Sequence, residues 1–297
     1  MDEPKVAIVL VCYNGFNDTE ECLRSLRLIN YTNYEVIVVD NGSKTECVDK
    51  TEEILQQRET LIRATNNGFS AGNNLGIIEA EKRNCKYVLL LNNDTVVEPD
   101  FLKHLVSKAT AEDNHAAIAP KIRYFFDKTK IWYAGGSFNT LTGRTTHIGM
   151  NQTDSGQFDL SRDVEFISGC CILLPIEVIN TVGLMDEDYF LYCEDLDYCR
   201  KIRNAGYQLI YEPNATIYHK VSASTGKLSN LITYYMVRNK MYVIRRHIKF
   251  PKRIIANVYN ALEVAKRIMT KEYSLPAVLC ALRDYRNGIV GRNNGSL

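Results

Sequence analysis

Residues 190–207 read FLYCEDLDYCRKIRNAGY and place three carboxylates, Glu194, Asp195 and Asp197, within four positions. They stand where an aromatic run passes into a helical pattern that ends at Gly206. Acids in a first turn complement the helix macrodipole, so the cluster has a purely electrostatic reading. On a helix, though, Asp195, Cys199 and Ile202 share one semi-apolar stripe, while Glu194 points about 100° away. An acid at the head of an inward stripe is costly without a task or a partner, which makes Asp195 the candidate general base. Glu194 and Asp197 are expected to be solvated charges that serve the helix.

Three other positions could carry chemistry. Asp94 follows the strand-like LLLNN, beside the amides Asn92 and Asn93. An acid there suits a hard divalent cation that bridges phosphates, or an Asx turn leading to a helix at Pro99. Asp40 ends YEVIVVD and could accept hydrogen bonds from a base or ribose, or shape the turn DNGS. His219 follows ATIY and is a metal or phosphate candidate, set against the commoner structural role of a lone histidine. His104, His115, His147 and His247 belong to no motif.

These residues need elements to hold them. KVAIVLVC, YEVIVVD, ETLIRAT and KYVLLLN are apolar runs of strand length. Between them lie a helix in DTEECLRSLRLI with Asp18 as its expected cap, and a loop NNGFSAGNN leading into a helix to about Asn84. This βαβαβαβ order predicts a parallel sheet with helices on both faces and ligands beyond the carboxyl ends of the strands. In the second half, IWYAGGSFNTLTGRTTHIG reads as short strands and turns, and VEFISGCCILLP as a buried strand. YQLIYEP follows the acidic helix, and basic helices with breaks at Pro251 and Pro276 occupy the tail.

The apolar fraction of 45% over 297 residues suits a globular chain with a full-sized core. Nine cysteines, single apart from Cys170-Cys171 and without C-x-x-C, read as reduced thiols of a cytosolic protein rather than disulfides or a zinc site. The opening MDEPKVAIVL has no signal-peptide pattern, and no apolar run reaches the roughly 18 residues of a spanning helix. A net charge of +1 divides into −10 over residues 1–226 and +11 over 227–297. The basic amphipathic stretch 234–269 is expected on an anionic membrane surface, with packing on the catalytic body or a homodimer contact as rivals. No recognised nucleic-acid module accompanies it.

Seven segments, VAIVLVCYN, VIVVDNGS, NNGFSAGNNLGI, YVLLLNNDTVV, ISGCCILLP, VGLMDEDYFLYCEDLDYCRKIRNAGY and IYHKVSAS, together resemble the inverting nucleotide-sugar glycosyltransferases of family 2. Their order matches over about residues 5–245, and LLNNDT with the acidic helix looks most like the rhamnosyltransferase branch. The resemblance implies a GT-A fold: a Rossmann-like, mostly parallel sheet flanked by helices, a smaller mixed acceptor-side sheet and a basic helical extension. With the charge split at 226/227, the expected domains are a catalytic domain at 1–226, with a nucleotide-binding half at 1–112 and an acceptor half at 113–226, and an extension at 227–297.

It also implies roles. Tyr13, Asn14, Asp40, Gly68, Asn74, Asn92 and Asn93 would border the nucleotide, with Asp40 on the pyrimidine and Gly68 letting backbone approach the base. Asp94 and His219 would hold Mg²⁺ or Mn²⁺ on the diphosphate. Gly169 and Glu194 would lie near the sugars, and Asp195 would be the base. The donor would be a UDP- or dTDP-sugar, and the acceptor a glycan or polyprenyl-linked hydroxyl, met in the cytoplasm at the inner face of the membrane. Asn92 stands where many relatives carry Asp, which brings less charge to the metal and keeps a non-catalytic nucleotide-sugar or glycan-binding scaffold as the alternative. CYNGFN after the first strand is not G-x-G-x-x-G, which disfavours a dinucleotide-dependent dehydrogenase.

Overall fold

The computed structural model describes residues 3–221 and 229–293. In the first half, strands β1 (Val6–Cys12), β2 (Tyr34–Asn41), β3 (Glu59–Ala64) and β4 (Tyr87–Asn92) alternate with helices α1 (Phe16–Leu26), α2 (Thr45–Ile54) and α3 (Phe69–Lys82). A short β5 (Thr95–Val97) and α4 (Phe101–Ala111) follow. The second half holds β6 (Ala116–Tyr124), β7 (Ile131–Tyr133), β8 (Gly136–Phe138), β9 (Thr145–His147), β10 (Arg162–Asp163) and β11 (Cys171–Pro175). Then come α5 (Ile176–Val182), α6 (Glu194–Asn204), the long β12 (Gln208–His219), α7 (Asn230–His247), α8 (Lys252–Met269) and α9 (Leu275–Arg286).

Strands β4, β1, β2 and β3 are parallel neighbours, as the alternation predicts. Residues of β1, β4 and most of β2 are buried on both faces, the pattern expected of parallel strands covered by helices, while β3 at the sheet edge is only half-buried. The second half continues this same sheet: β11 runs antiparallel between β4 and β6, and β12 pairs with β6, β5 and β10. The mixed acceptor-side strands thus extend the main sheet, and among the described residues only β8 and β9 form a separate pair. The division at 112/113 falls between α4 and β6, and the one at 226/227 lies outside the described residues.

Several local expectations change. Gly15, not Asp18, is the N-cap of α1, and Asp18 instead accepts from Lys220 Nζ at 2.5 Å. Most of NNGFSAGNN is helical, because α3 begins at Phe69. Gly72 and Gly76 let α3 lie directly on β1, since a Cβ at either would collide with Val11 or Val9. Within VEFISGCCILLP only Cys171–Pro175 is strand.

The basic tail splits into two kinds of helix. α7 is core: Tyr234, Tyr235, Arg238, Asn239, Val243 and Ile244 are fully or almost fully buried. Helix α8 buries Ala256 and leaves Ile254, Ile255, Val258, Leu262 and Met269 exposed. So the packed-helix alternative holds for α7, while α8 keeps an uncovered apolar stripe.

Candidate active site

Strand order alone gathers the carboxyl ends of β1, β2 and β4 at one edge, where a cavity of about 570 Å³ opens. Tyr13, Gly68, Asn92, Asn93 and Asp94 line it, as expected of residues beyond strand ends. Tyr13 is exposed, offering a ring face to a base. Asn93 is fixed by its Nδ2, which donates to Thr19 Oγ1 at 2.9 Å. Asn92 Oδ1 is buried with no partner, an acceptor waiting for a donor.

Antiparallel pairing of β5 with β12 sets His219 opposite Thr95, and Lys220 N–H donates to the Asp94 carbonyl at 3.0 Å. That register brings His219 Nε2 to 3.1 Å from Asp94 Oδ1. Trp132 packs edge-on against His219 at 4.5 Å and fixes its ring plane. A carboxylate and an imidazole at this separation suit a divalent ion completed by phosphate oxygens. No group of three or more ligating side chains occurs among the described residues.

Four expected nucleotide residues make contacts within the protein. Asp40 Oδ1 accepts from the N–H groups of Gly42 at 3.1 Å and Ser43 at 2.9 Å, which is the Asx turn. Its Oδ2 faces Cys12 Sγ at 3.7 Å. Asn14 Oδ1 accepts from Lys44 N–H at 2.9 Å, tying two loops together, and borders a neighbouring cavity instead. Gly68, at φ +102°, lines the first cavity and also allows close approach by Phe190: a Cβ would collide with the Phe190 carbonyl. Asn74 is a buried strut, its Nδ2 donating to Met185 O and Glu187 Oε1, both at 2.9 Å.

A second cavity, of about 400 Å³, lies across residues 190–193. Phe190 and Leu191 face the first cavity, while Tyr192, Cys193 and Asp195 face the second. This partition is strained, with φ of 59° at Phe190, 67° at Tyr192 and 72° at Cys193. Buried Asn239 holds it: Nδ2 lies 2.8, 2.8 and 2.9 Å from the carbonyls of Tyr189, Leu191 and Tyr192. Arg238 Nη2 donates to the carbonyls of Asp188 and Tyr189 at 3.2 and 3.3 Å.

Asp195 opens α6 into the second cavity. Gly169 N–H donates to its Oδ2 at 3.0 Å, and a side chain at Gly169 would crowd the Asp195 Cβ. Burial pushes the Asp195 carboxyl up, against the backbone hydrogen bonds from Gly169 and Leu196. Glu194 and Asp197 are both buried, contrary to the expectation of solvated charges. Burial, and then Asp195, push Glu194 upward, and its Oε2 has no partner. Burial also works against the Asp197 charge, but His247, Lys201 and Tyr189 reverse it and hold the carboxyl below its usual range. His247 Nε2 is 2.7 Å from Asp197 and Tyr189 Oη donates at 2.9 Å.

Sequence reasoning missed the rest of the second cavity: Arg144, His147, Lys240, Glu263, Arg267 and Tyr273. Burial pushes His147 down to about 4, so it is neutral near pH 7. It also missed the tail's share of the first cavity, Leu231, Tyr235, Arg292 and Asn293.

The family model described as "Glycosyl transferase family 2" matches residues 7–183. A Shigella flexneri dTDP-rhamnosyl transferase, RfbF, is 24% identical over 272 residues, covering 87% of this chain and 88% of that one. An N-acetylglucosaminyl-diphospho-decaprenol L-rhamnosyltransferase of Mycobacterium tuberculosis is 26% identical over 249 residues, covering 74% and 77%. The chain spans 25% of the length of an uncharacterized Sinorhizobium fredii protein, y4gI, at 28% identity over 235 residues and 75% of this chain. Among solved structures, S. aureus TarS 1-349 in complex with UDP-GlcNAc aligns with a TM-score of 0.60, at 16% identity, covering 96% of this chain and 81% of that one. The mannosyltransferase PcManGT of Pyrobaculum calidifontis, in complex with GDP-Man and Mn²⁺, aligns at 0.59 and 16% identity, covering 96% and 76%.

Proposed function

The chain belongs to glycosyl transferase family 2 and is a glycosyltransferase with rhamnosyltransferase relatives, and from that premise we propose an inverting transfer from a UDP- or dTDP-sugar. dTDP-rhamnose is the first donor candidate, and a hydroxyl of a glycan or polyprenyl-linked acceptor receives the sugar. One observation carries this reading: two cavities meet at the 190–193 loop, with Asp94 and His219 on one side and Asp195 on the other.

Donor binding uses Tyr13 for the base, Asn92 and Asn93 for ribose and phosphate, and Oδ2 of Asp40 where the pyrimidine reaches it. The residues that would hold Mg²⁺ or Mn²⁺ are Asp94 and His219, and a bound ion supplies positive charge to the departing diphosphate. Asp195 takes the proton of the acceptor hydroxyl as oxygen bonds to the anomeric carbon from the face opposite the diphosphate, which inverts configuration. A strong base is unnecessary, because the hydroxyl becomes acidic only as that bond forms. Gly169 holds the receiving carboxylate in place through its N–H.

The exposed stripe of α8 is flanked by Lys252, Arg253 and Lys266, and its other side borders the second cavity through Asn260, Glu263 and Arg267. This supports peripheral binding to the cytoplasmic face of an anionic membrane, where a polyprenyl-linked acceptor would enter. No helix among the described residues is long and apolar enough to cross a membrane.

The test is sugar transfer and nucleotide release across UDP-, dTDP- and GDP-sugars, with and without Mn²⁺. Turnover of a UDP- or dTDP-sugar with an inverted product supports the reading. Nucleotide binding with no turnover on lipid-linked or polysaccharide acceptors would favour the non-catalytic scaffold.

A further inference from the structure

We propose that Arg292 closes the donor cavity from the C-terminal side and binds the diphosphate of the nucleotide sugar. This deepens the nucleotide-sugar reading above and rests on it.

After α9 the chain turns back across the catalytic body and is tied down on both sides of residue 292. Tyr242 Oη donates to the Ile289 carbonyl at 3.1 Å. Gly291 N–H donates to the Asp188 carbonyl at 2.6 Å, and the Gly291 carbonyl accepts from Arg238 Nη1 at 2.8 Å. On the other side, Asn293 N–H donates to Tyr235 Oη at 2.8 Å. With its neighbours fixed, Arg292 must project where it does. Its guanidinium carbon lies 5.9 Å from the centroid of the Phe190 ring, and Nη1 donates to the Asn66 carbonyl at 3.3 Å.

Charge decides what this side chain is for. Arg292 is the one basic residue among the described residues that line the donor cavity, which also presents Asp18 and Asp94. Lys220, beside the same strand ends, is already paired with Asp18 and Glu21 at 2.5 and 2.7 Å. Arg292 has no carboxylate within ion-pair distance among the described residues, only a carbonyl and a ring face. In a UDP- or dTDP-sugar, the base, the ribose and a neutral transferred sugar carry no charge. The diphosphate is the complementary group, and a guanidinium binds phosphate oxygens through paired N–H donors.

The anchor of this strap is also informative. Arg238 fixes the Gly291 carbonyl with Nη1 and the 188–189 carbonyls with Nη2. One buried guanidinium thereby sets the position of Arg292 and of the loop dividing the two cavities. Donor capture and the wall facing the acceptor share a mechanical support.

The experiment is titration of the full chain at low salt with UDP, dTDP, uridine and thymidine, comparing wild type with Arg292→Gln and Arg292→Lys. We expect Arg292→Gln to weaken the better of the two diphosphates about tenfold while its nucleoside binds as before, with Arg292→Lys between the two. The wild-type advantage should shrink as salt rises, because the site is partly exposed. An unchanged diphosphate affinity in Arg292→Gln would overturn the assignment. So would an equal loss for nucleoside and diphosphate, which would mark a packing role over Phe190. A wild-type chain that binds neither UDP nor dTDP would remove the donor reading itself, and this assignment with it. Unfolding temperatures of the variants, expected to match wild type, separate these outcomes from misfolding.

Discussion

On the Asp94 side of the 190–193 loop, the cavity takes much of its wall from strand ends, with Cys12, Asn41 and Asn92 set beside one another by the parallel sheet. On the Asp195 side, the wall is gathered from β9, α6, α7 and α8, with Arg144, Asp195, Lys240 and Arg267 brought together by helix packing. Backbone hydrogen bonding fixes the first cavity, so its geometry follows from topology. The second depends on side-chain contacts between helices, which can change without disturbing the sheet. A fold arranged this way can hold the first cavity, proposed for the donor, constant while the second varies.

The largest effect should come from the acceptor side. Asp195→Asn keeps the side chain's size and one of its two backbone contacts, with Gly169 or Leu196, but removes the proposed base, and should lower transfer about 10²- to 10⁴-fold in a steady-state assay. For wild type, the acid limb of the rate profile should lie above the usual carboxylate range, since burial raises Asp195. Activity is then lost as pH falls through that raised value.

The dividing loop comes next. Asn239→Ala removes the side-chain donor to the Leu191 and Tyr192 carbonyls, leaves Tyr189 with Arg238, and releases a strained segment. We expect a loss of about 2–3 kcal/mol in denaturant unfolding, with transfer down roughly 10- to 100-fold because both walls move. An Asn239→Ala protein with full activity would mean that the two cavities do not depend on this partition.

Glu194 offers a pH test on stability alone. Its carboxyl is raised to about 8, by burial first and then by Asp195. Between the ordinary carboxylate range and that value the folded state holds the extra proton, so stability falls as pH rises through this window. Glu194→Gln should flatten the fall and stabilise the protein by on the order of 1–3 kcal/mol near the alkaline end. An unaltered slope would show that Glu194 is ionised in the folded protein.

The smallest effect on chemistry belongs to α8. Leu262→Glu, on its exposed stripe, should abolish sedimentation with phosphatidylglycerol vesicles while changing turnover of a water-soluble acceptor less than about twofold. Retained vesicle binding would overturn the stripe's membrane role, and a halved solution mass would point to a homodimer face instead.

The parallel half of the fold was legible because buried strands are apolar throughout, and their terminal polar residues, Asp40 and Asn92 to Asp94, stand out against them. Asp94 with His219 was legible only through resemblance, since the β5–β12 pairing that joins them leaves no local signal. Glu194 and Asp197 were misplaced because helical periodicity assumes a single packing face. Helix α6 also meets α7, whose His247 and Arg246 supply partners to Asp197. Asn74 looked like a ligand-facing amide because a buried strut and a binding residue have the same composition. Arg238 did leave a signal: it shares an apolar stripe with Tyr234 and Tyr242, a position where an arginine requires buried acceptors. Nothing in the sequence around Arg292 marks its return to the donor cavity.

The division of labour between the two cavities is tested most directly by dTDP and UDP titration with and without Mn²⁺, beside transfer rates, for Asp94→Ala and Asp195→Asn. Asp94→Ala should lose the Mn²⁺-dependent gain in nucleotide affinity, while Asp195→Asn should keep that gain and lose transfer. Asp195→Asn that transfers at the wild-type rate, or loses nucleotide affinity as Asp94→Ala does, would contradict the assignment of donor and acceptor chemistry to opposite sides of the 190–193 loop.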